Sequence, residues 1–406
     1  MKLLVVTPYY TPDLGPSAPM FALLCEELAR RGHEVAVLCA VPHFPSGYVA
    51  ADYRRGAWRW SVENGVRVCR VRVPSGDRAN LFHRLWVFGV YQALVVLAGF
   101  GVRYEAALVT NPALETFLPF VFLCWLRRKP CLYAVWDVYP EVGVRMGLFK
   151  SPLLVRLVGM LEDFCLRRAS RIQVLSAGFV SDLASHGLVL DQMAVIPPWL
   201  DTALIRPLPR RNSFSHDHAL DDRFVVLYAG NIGLSQGLET VLQTADLLKE
   251  YGDILFLFVG EGAGRAGLEK QAREMLNVRF LAHQPRERLP ELLASADVSL
   301  VVMKKGMGSA SLPSKLFSIF ASGRPVLASV DEDSDAWKLV CGSQAGLCVP
   351  PANPQRLAEA ILSLRNDSAC REAMGKKGRA WAEQHHSPQS ASAGFERIFL
   401  EMMNLG

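Results

Sequence analysis

Residues 311–330 read SLPSKLFSIFASGRPVLASV, and they divide into two parts. Leu316, Phe317, Ile319 and Phe320 fall at helical spacing behind a Pro-Ser start, and Gly323 and Pro325 end that pattern. PVLASV (325–330) is then a short apolar strand. A helix that stops on Gly-x-Pro and turns into a strand is the repeating step of an α/β fold. Lys315 is the anomaly. A cation in the first helical turn opposes the macrodipole by roughly 0.3–1 kcal/mol, so an anion close by would account for it.

The same step recurs on both sides of this stretch. FVVLYAGN (224–231), a helix near 236–250, ILFLFVGEG (254–262), VRFLA (278–282) and DVSLVVM (297–303) precede it, and GLCVP (346–350) follows. LPRRNSFSHDHALDDR (208–223) is too polar for either element and reads as linker or exposed loop. Upstream, KLLVV (2–6) is a strand and TPYYTPDLGPSAP a loop. Met20, Phe21, Leu24 and Leu28 mark a helical face, and EVAVLC (34–39) is the next strand. Strands are further expected at 66–73, 106–110, 131–137 and 171–176. The expected architecture is two doubly wound, Rossmann-like domains, residues 1–200 and 201–385, with a ligand cleft between the carboxyl ends of their strands. In 386–406, Phe395, Ile398, Phe399 and Met402 predict a terminal helix packed on something apolar.

With 406 residues, half of them hydrophobic and a fifth charged, the chain is globular rather than disordered. Its nine cysteines form no C-x-x-C pair or zinc spacing, so most of them are expected to be buried thiols in a reducing cytosol. MKLLVVTPYYTPD has too few apolar residues for a signal peptide. Residues 1–200 hold 21 Lys/Arg against 15 Asp/Glu, and the remainder 23 against 24. The basic first half fits either an anionic membrane surface or a phosphorylated acceptor, or is ordinary variation between domains. LWVFGVYQALVVLAGFGV (85–102) approaches spanning length, but Gln92 and three glycines weaken that reading. It and FLPFVFLCWL (117–126), with Arg127, Arg128 and Lys129 behind it, are either buried or lie in a membrane interface.

Four loops are suited to phosphate. DLGPSAP (13–19) opens the first helix with Gly15, Pro16 and Ser17. AGNIGLSQG (229–237) offers Gly230, Asn231, Gly233 and Gln236, and VGEGAGR (259–265) offers Gly260, Glu261 and Gly262. The fourth is the approach to Lys315, with Ser311, Leu312, Pro313 and Ser314. Each glycine turn is also explained as a plain strand-to-helix connection. No G-x-G-x-x-G follows the first strand, so a dinucleotide fingerprint is not supported. In YAVWDVYPE (133–141), Asp137 ends a strand and Glu141 follows four residues on. A carboxylate there can accept a proton or stabilise a developing cation, or it can cap the next helix.

Taken together, the Pro/Gly first loop, the GNIG…G turn, VGEG and PSKLFSIFASGRPVLAS resemble the GT-B glycosyltransferases of family 4. The bacterial branch that builds colanic acid, O-antigen and other exopolysaccharides is the nearest likeness. VWDVYPE resembles that branch's Asp-x-x-Pro-Glu signature, and VIPPWLD (195–201) its hinge segment. The resemblance implies a terminal helix crossing back onto the first domain. It also implies retaining transfer of a sugar from a UDP- or GDP-linked donor, with no cofactor and no protein-bound metal. The donor's diphosphate is expected over the glycine loops and Lys315, and its base and ribose at AHQPR (282–286), including His283 and Gln284, and at Ser318. Asp137 is expected nearest the reaction centre, with Glu141 supporting it or binding acceptor. The chain also departs from the family pattern. Ala310 and Ser318 stand where many members carry glutamates, Asn231 and Gln236 where they carry an Arg and a Lys, and Trp136 and Asp137 near a usual histidine.

The leading expectation is therefore a cytoplasmic transferase, peripheral on the inner membrane face through its N-terminal domain, acting on a lipid-linked or saccharide acceptor. No nucleic-acid partner is expected. A UDP-sugar epimerase and a non-catalytic nucleotide-sugar-binding protein of a polysaccharide assembly are the alternatives. The missing glutamates favour the second of these.

Overall fold

The computed structural model describes residues 1–15, 17–77, 80–145, 151–306 and 313–404. The chain forms two compact units, residues 1–198 with 388–406 and residues 199–387.

In the first unit the strands are β1 (Lys2–Val6), β2 (Glu34–Ala40), β3 (Trp58–Glu63), β4 (Val66–Val71), β5 (Ala106–Thr110), β6 (Cys131–Val135), β7 (Arg171–Val174) and β8 (Met193–Val195). Among the described residues they form one sheet in the order β3-β4-β2-β1-β5-β6-β7-β8. All neighbours are parallel except β3, which runs antiparallel to β4. The chain winds from β1 to β2 on one side and later resumes at β5 on the other. That reversal leaves a crevice at the carboxyl ends of β1 and β5. Leu3–Val6 are each at most 1% exposed, as expected of a parallel strand covered on both faces. Tyr91 and Val95 of the helix Leu81–Gly99 join Phe120, Leu123, Leu4, Leu38 and Tyr133 in one core. The helix Pro388–Asn404 buries Phe395, Phe399 and Met402 and packs on the helix Ala18–Arg30. Arg31 and His33 both reach Glu396, the latter from Nε2 at 2.8 Å.

The second unit has β9 (Phe224–Ala229), β10 (Ile254–Val259), β11 (Val278–Leu281), β12 (Val298–Val302), β13 (Val326–Ser329) and β14 (Gly346–Val349). They form a parallel sheet in the order β11-β10-β9-β12-β13-β14, again wound outward from its first strand. Its crevice lies at the carboxyl ends of β9 and β12.

The sequence reading missed β3 and β8. The local cue to β3 is the Asn64-Gly65 turn that returns it to β4, with φ of 49° and 84°, a strong hairpin signal. The second apolar segment is not one regular helix. Ala113–Pro119 is α-helical and Phe120–Trp125 is a wider π-turn, where Pro119 contributes no N–H to the ladder. Leu81–Gly99 is the one helix among the described residues long and apolar enough to cross a membrane, and 44% of its apolar window is buried in the protein.

Candidate active site

Lys315 begins the helix Lys315–Ala321, which Gly323 closes at φ 68°. The helix is only seven residues long, so its dipole contributes less than the sequence suggested. Burial of the ammonium group matters more. Its Nζ lies 3.7 Å from the centroid of the Tyr228 ring, and no carboxylate or carbonyl partners it among the described residues. A cation–π contact offsets only part of the desolvation cost. Burial accordingly pulls the Lys315 pKa down to about 7. Gly230, at φ 136°, makes room for this side chain, since a Cβ there would sit 3.1 Å from Nζ.

Two cavities meet at Lys315. One, about 120 Å³, is an apolar slot walled by Leu227, Leu292 and Ile319, with His283 and Gln284 at its rim. The other, about 540 Å³, is bounded by Asn231, Gln236, Val302, Pro313 and Ser314. Gly230, Lys315 and Ser318 line both. Among the described residues two polar atoms lack partners there: Ser299 Oγ in the slot and Gln236 Oε1 in the larger cavity are buried without a hydrogen bond. Buried orphans of this kind cost about 1–3 kcal/mol each unless a ligand or water satisfies them. The arrangement offers an apolar slot, an adjoining larger chamber of mixed polarity and a cation where the two join.

The glycine loops are employed differently from the simple expectation. They are zipped to one another: Gly230 N–H donates to Val259 O at 2.9 Å, and Ile232 N–H to Glu261 O at 2.8 Å. Gly260 is needed because a Cβ on it would fall 1.9 Å from Gly230 O. Gly262 lies against the Ile232 backbone and Gly233 against the Asn231 and Gln236 side chains. Glu261 is held by Arg265 at 2.7 Å, and Arg265 also donates to Gly260 O and Leu281 O, clamping both loops. Tyr228 OH donates to Asn231 O at 2.6 Å. Ser318 Oγ donates to Lys315 O at 2.9 Å, and Gln284 Nε2 to Ala282 O at 2.9 Å; His283 is exposed. Ser311 and Leu312, like Ala310 and Pro16, lie outside the described residues.

In the first unit, Gly15 and Ser17 open the helix Ala18–Arg30. The Gly15 N–H is already taken by the Asp13 carboxylate at 2.7 Å, which sets a negative charge where an anion would approach. A Cβ on Gly15 would strike the Tyr9 ring at 2.5 Å. The other Asp13 oxygen accepts from His43 N–H at 2.8 Å, so Asp13 ties the loops after β1 and β2 together.

Asp137 sits two residues beyond β6 with its side chain exposed, although the protein around it pushes its carboxyl pKa upward. Asn111, just past β5, clamps this loop. Its Oδ1 accepts from Trp136 N–H at 3.0 Å, and its Nδ2 donates to Asp137 O. Trp136 is itself structural, stacked on Phe21 at 4.7 Å and donating from Nε1 to Gln173. Glu141 begins a short helix, with Oε2 buried and without a partner among the described residues. Close to it is a carboxylate that the sequence reading missed. Glu162 accepts from Ala113 N–H at 2.7 Å and from Tyr133 OH at 3.1 Å. Burial, with a smaller push from the Glu141 charge, raises its pKa to about 7. Its only sequence signal is an acid on the inner face of an apolar helix.

This carboxyl group has a measurable consequence. In the unfolded chain Glu162 ionises near 4.5, whereas in the fold it holds its proton to about 7. It therefore lowers stability progressively as pH rises from 4.5 to 7, by roughly 3 kcal/mol in all. Glu162→Gln should remove that loss, leaving the variant more stable than the parent at pH 8 and similar at pH 4.5. Denaturant unfolding at the two pH values tests this; an unchanged pH dependence would refute the assignment.

Comparison with known proteins places the chain. Residues 17–199 match the glycosyl transferase 4-like domain, and residues 210–381 match glycosyl transferases group 1. The chain is 28% identical over 391 residues to WcaI of Escherichia coli K12, which is named for a colanic acid biosynthesis glycosyl transferase. That match covers 92% of this chain and 95% of WcaI. It is 27% identical to WbjE of Pseudomonas aeruginosa, named for a glycosyltransferase, over 78% of this chain and 80% of that one. Among solved structures, the sucrose-phosphate synthase of Thermosynechococcus elongatus superposes with a TM-score of 0.70 at 18% identity, over the whole of both chains. Anabaena Alr3699/HepE, solved in complex with UDP, gives 0.68 at 15% identity, over 99% of this chain and all of that one. Such identities speak to the fold alone. The chain belongs to the GT-B glycosyltransferases, its first unit of the glycosyl transferase 4-like type and its second of group 1.

Proposed function

We propose that this glycosyltransferase moves a sugar, with retention at the anomeric carbon, from a UDP- or GDP-linked donor to a lipid-linked or saccharide acceptor in surface polysaccharide assembly. The observation that carries the donor assignment is Lys315, a cation with no charged partner among the described residues, at the junction of an apolar slot and a larger chamber of mixed polarity. A nucleoside diphosphate has matching parts: a flat base for the slot, a diphosphate for the cation and a sugar for the chamber. As the bond to the sugar breaks, charge grows on the leaving diphosphate. A fixed ammonium group aimed there stabilises the transition state more than the ground state. Among the described residues no three His, Cys, Asp or Glu side chains gather into a metal-holding group. In this reading charge neutralisation falls to Lys315, with no protein-held metal or other cofactor. Asp137 is proposed to face the reacting sugar and Glu141 to support it or to bind acceptor.

The polysaccharide context is supported by the likeness to WcaI. A peripheral contact with the inner face of the membrane is supported by an exposed apolar stripe on the helix Leu81–Gly99. Phe82 is 83% exposed, Trp86 63% and Leu97 58%, and the stripe continues to Phe100. The cytoplasm is the compartment that supplies nucleotide sugars to such a site.

Incubating the protein with a panel of UDP- and GDP-sugars and following the products by mass spectrometry tests the proposal. Slow release of the nucleoside diphosphate from one donor is expected without acceptor. Absence of both binding and release across the panel would refute it. A second reading, nucleotide-sugar binding without turnover, draws support from Ser318, whose hydroxyl is spent on Lys315 O rather than presenting a carboxylate. Tight binding without transfer to any lipid diphosphate or oligosaccharide would select that reading.

A further inference from the structure

The β3–β4 hairpin carries a second concentration of positive charge, far in sequence from Lys315. A cavity of about 230 Å³ opens beside it, lined by Arg55, Arg59, Arg70 and Arg72, with Tyr53 and Trp58 among its walls. Arg59 and Arg70 are direct cross-strand partners, an arrangement that costs stability when two like charges face each other. Arg72 continues the row, its backbone N–H donating to Ala57 O at 2.8 Å.

Counter-charge is short. Asp52 lies at the cavity, and Glu63 is spent on Arg70 and on the Ser61 hydroxyl, which donates to it at 2.6 Å; Arg70 is 6% exposed and also donates to Ser61 Oγ and Thr11 O. Even so, Arg70 Nε is buried without a partner among the described residues. Arg72 makes one side-chain hydrogen bond among the described residues, from Nη1 to Arg54 O at 2.9 Å. Arg55 and Arg59 have no hydrogen-bond or ion-pair partner among the described residues. Three incompletely paired guanidinium groups, with a fourth fixed beneath them, match the planar donor geometry that oxyanions take. The cavity also stands at the carboxyl edge of its sheet, since Arg70 reaches the loop after β1 and Arg72 follows the last residue of β4. That is the edge on which Asn111 and Asp137 lie.

We propose that this cavity binds the phosphate or diphosphate group of the acceptor, with Tyr53 and Trp58 flanking whatever the phosphate is attached to. The link to transfer rests on the donor and acceptor reading given above; the binding of the anion does not.

The test uses the Lys315→Ala chain, which removes the donor-side cation, and calorimetric titration at low salt with inorganic pyrophosphate and with farnesyl diphosphate. Both ligands should bind. Arg59→Ala and Arg72→Ala should each weaken binding by about tenfold, the usual worth of one charge-assisted contact, with Arg59→Lys in between. Farnesyl diphosphate binding tenfold tighter than pyrophosphate would identify a lipid-linked headgroup. Equal affinities would identify a free phosphorylated acceptor. Two results overturn the site: no binding of either ligand at millimolar concentration, or equal binding to an Arg59→Ala/Arg72→Ala chain whose melting temperature matches its parent. UDP titration of the unsubstituted protein reads the donor site separately, so failure of one assignment is not mistaken for failure of the other.

Discussion

Lys315→Ala is expected to weaken UDP- or GDP-sugar binding by roughly 10–100-fold, the worth of one charge-assisted contact to a diphosphate. Turnover should fall further, by about 10²–10³, because charge on the leaving group peaks in the transition state. The fold should survive, since in the donor-free protein the ammonium group contributes little: it is desolvated and touches only an aromatic face. The pH dependence is the sharper test. With a pKa near 7 in the free protein, Lys315 is charged below that pH and increasingly neutral above it. A bound diphosphate favours the charged form and so raises that pKa. Affinity for UDP-glucose, whose phosphates do not titrate in this range, should be flat below about pH 6. Above pH 7 it should weaken, approaching tenfold per pH unit, until the pKa of the complex is passed. Lys315→Met should show weak binding with no such slope. Constant affinity of the unsubstituted protein from pH 6 to 9 would mean that this lysine does not meet the donor.

Gly260→Ala should have the largest effect on stability. The added methyl would sit 1.9 Å from Gly230 O, a backbone atom that no side-chain rotation can clear, at a backbone φ of 146° that alanine resists. The two glycine loops would have to part, breaking the bonds from Gly230 N–H to Val259 O and from Ile232 N–H to Glu261 O. A cost of about 3–5 kcal/mol is expected, from steric strain and lost hydrogen bonds together. For a unit of this size that corresponds to a melting temperature lower by roughly 10 °C. Donor affinity should fall with it, because Gly230 borders Lys315. A variant that melts within 2 °C of its parent would show that the loops can separate cheaply, and that their pairing does not set the site.

The contrast between these glycines and Lys315 shows where sequence reading succeeds. Strands such as Ile254–Val259 announce themselves, because a parallel strand covered on both faces must be apolar along its whole length. Glycine turns behind such strands mark the carboxyl edge of a sheet, where α/β folds place their ligands. Lys315 was legible as well, since a cation at a helix start ahead of an apolar face is a local contradiction that asks for a partner. β3 was less legible, because an edge strand with one partner lacks the continuous apolar run of a buried strand: WRWSVE alternates apolar and polar residues and is half exposed. Glu162 was hidden for a different reason. Its partners, Ala113 and Tyr133, lie 49 and 29 residues away, and nothing local distinguishes a buried acid from a solvated one.

By itself the sequence determined the two wound sheets, the loops at their carboxyl edges and the cation in the second unit, because periodicity and turn chemistry are local properties. Only the tertiary structure decided what those loop residues touch. It turned Gly260 from a phosphate cradle into a backbone contact, bound the Gly15 N–H to Asp13, set Lys315 on Tyr228 and gathered four arginines beside one hairpin. Partners in a fold are chosen by proximity across distant segments, and desolvation sets the charge of a group only once those partners have closed around it.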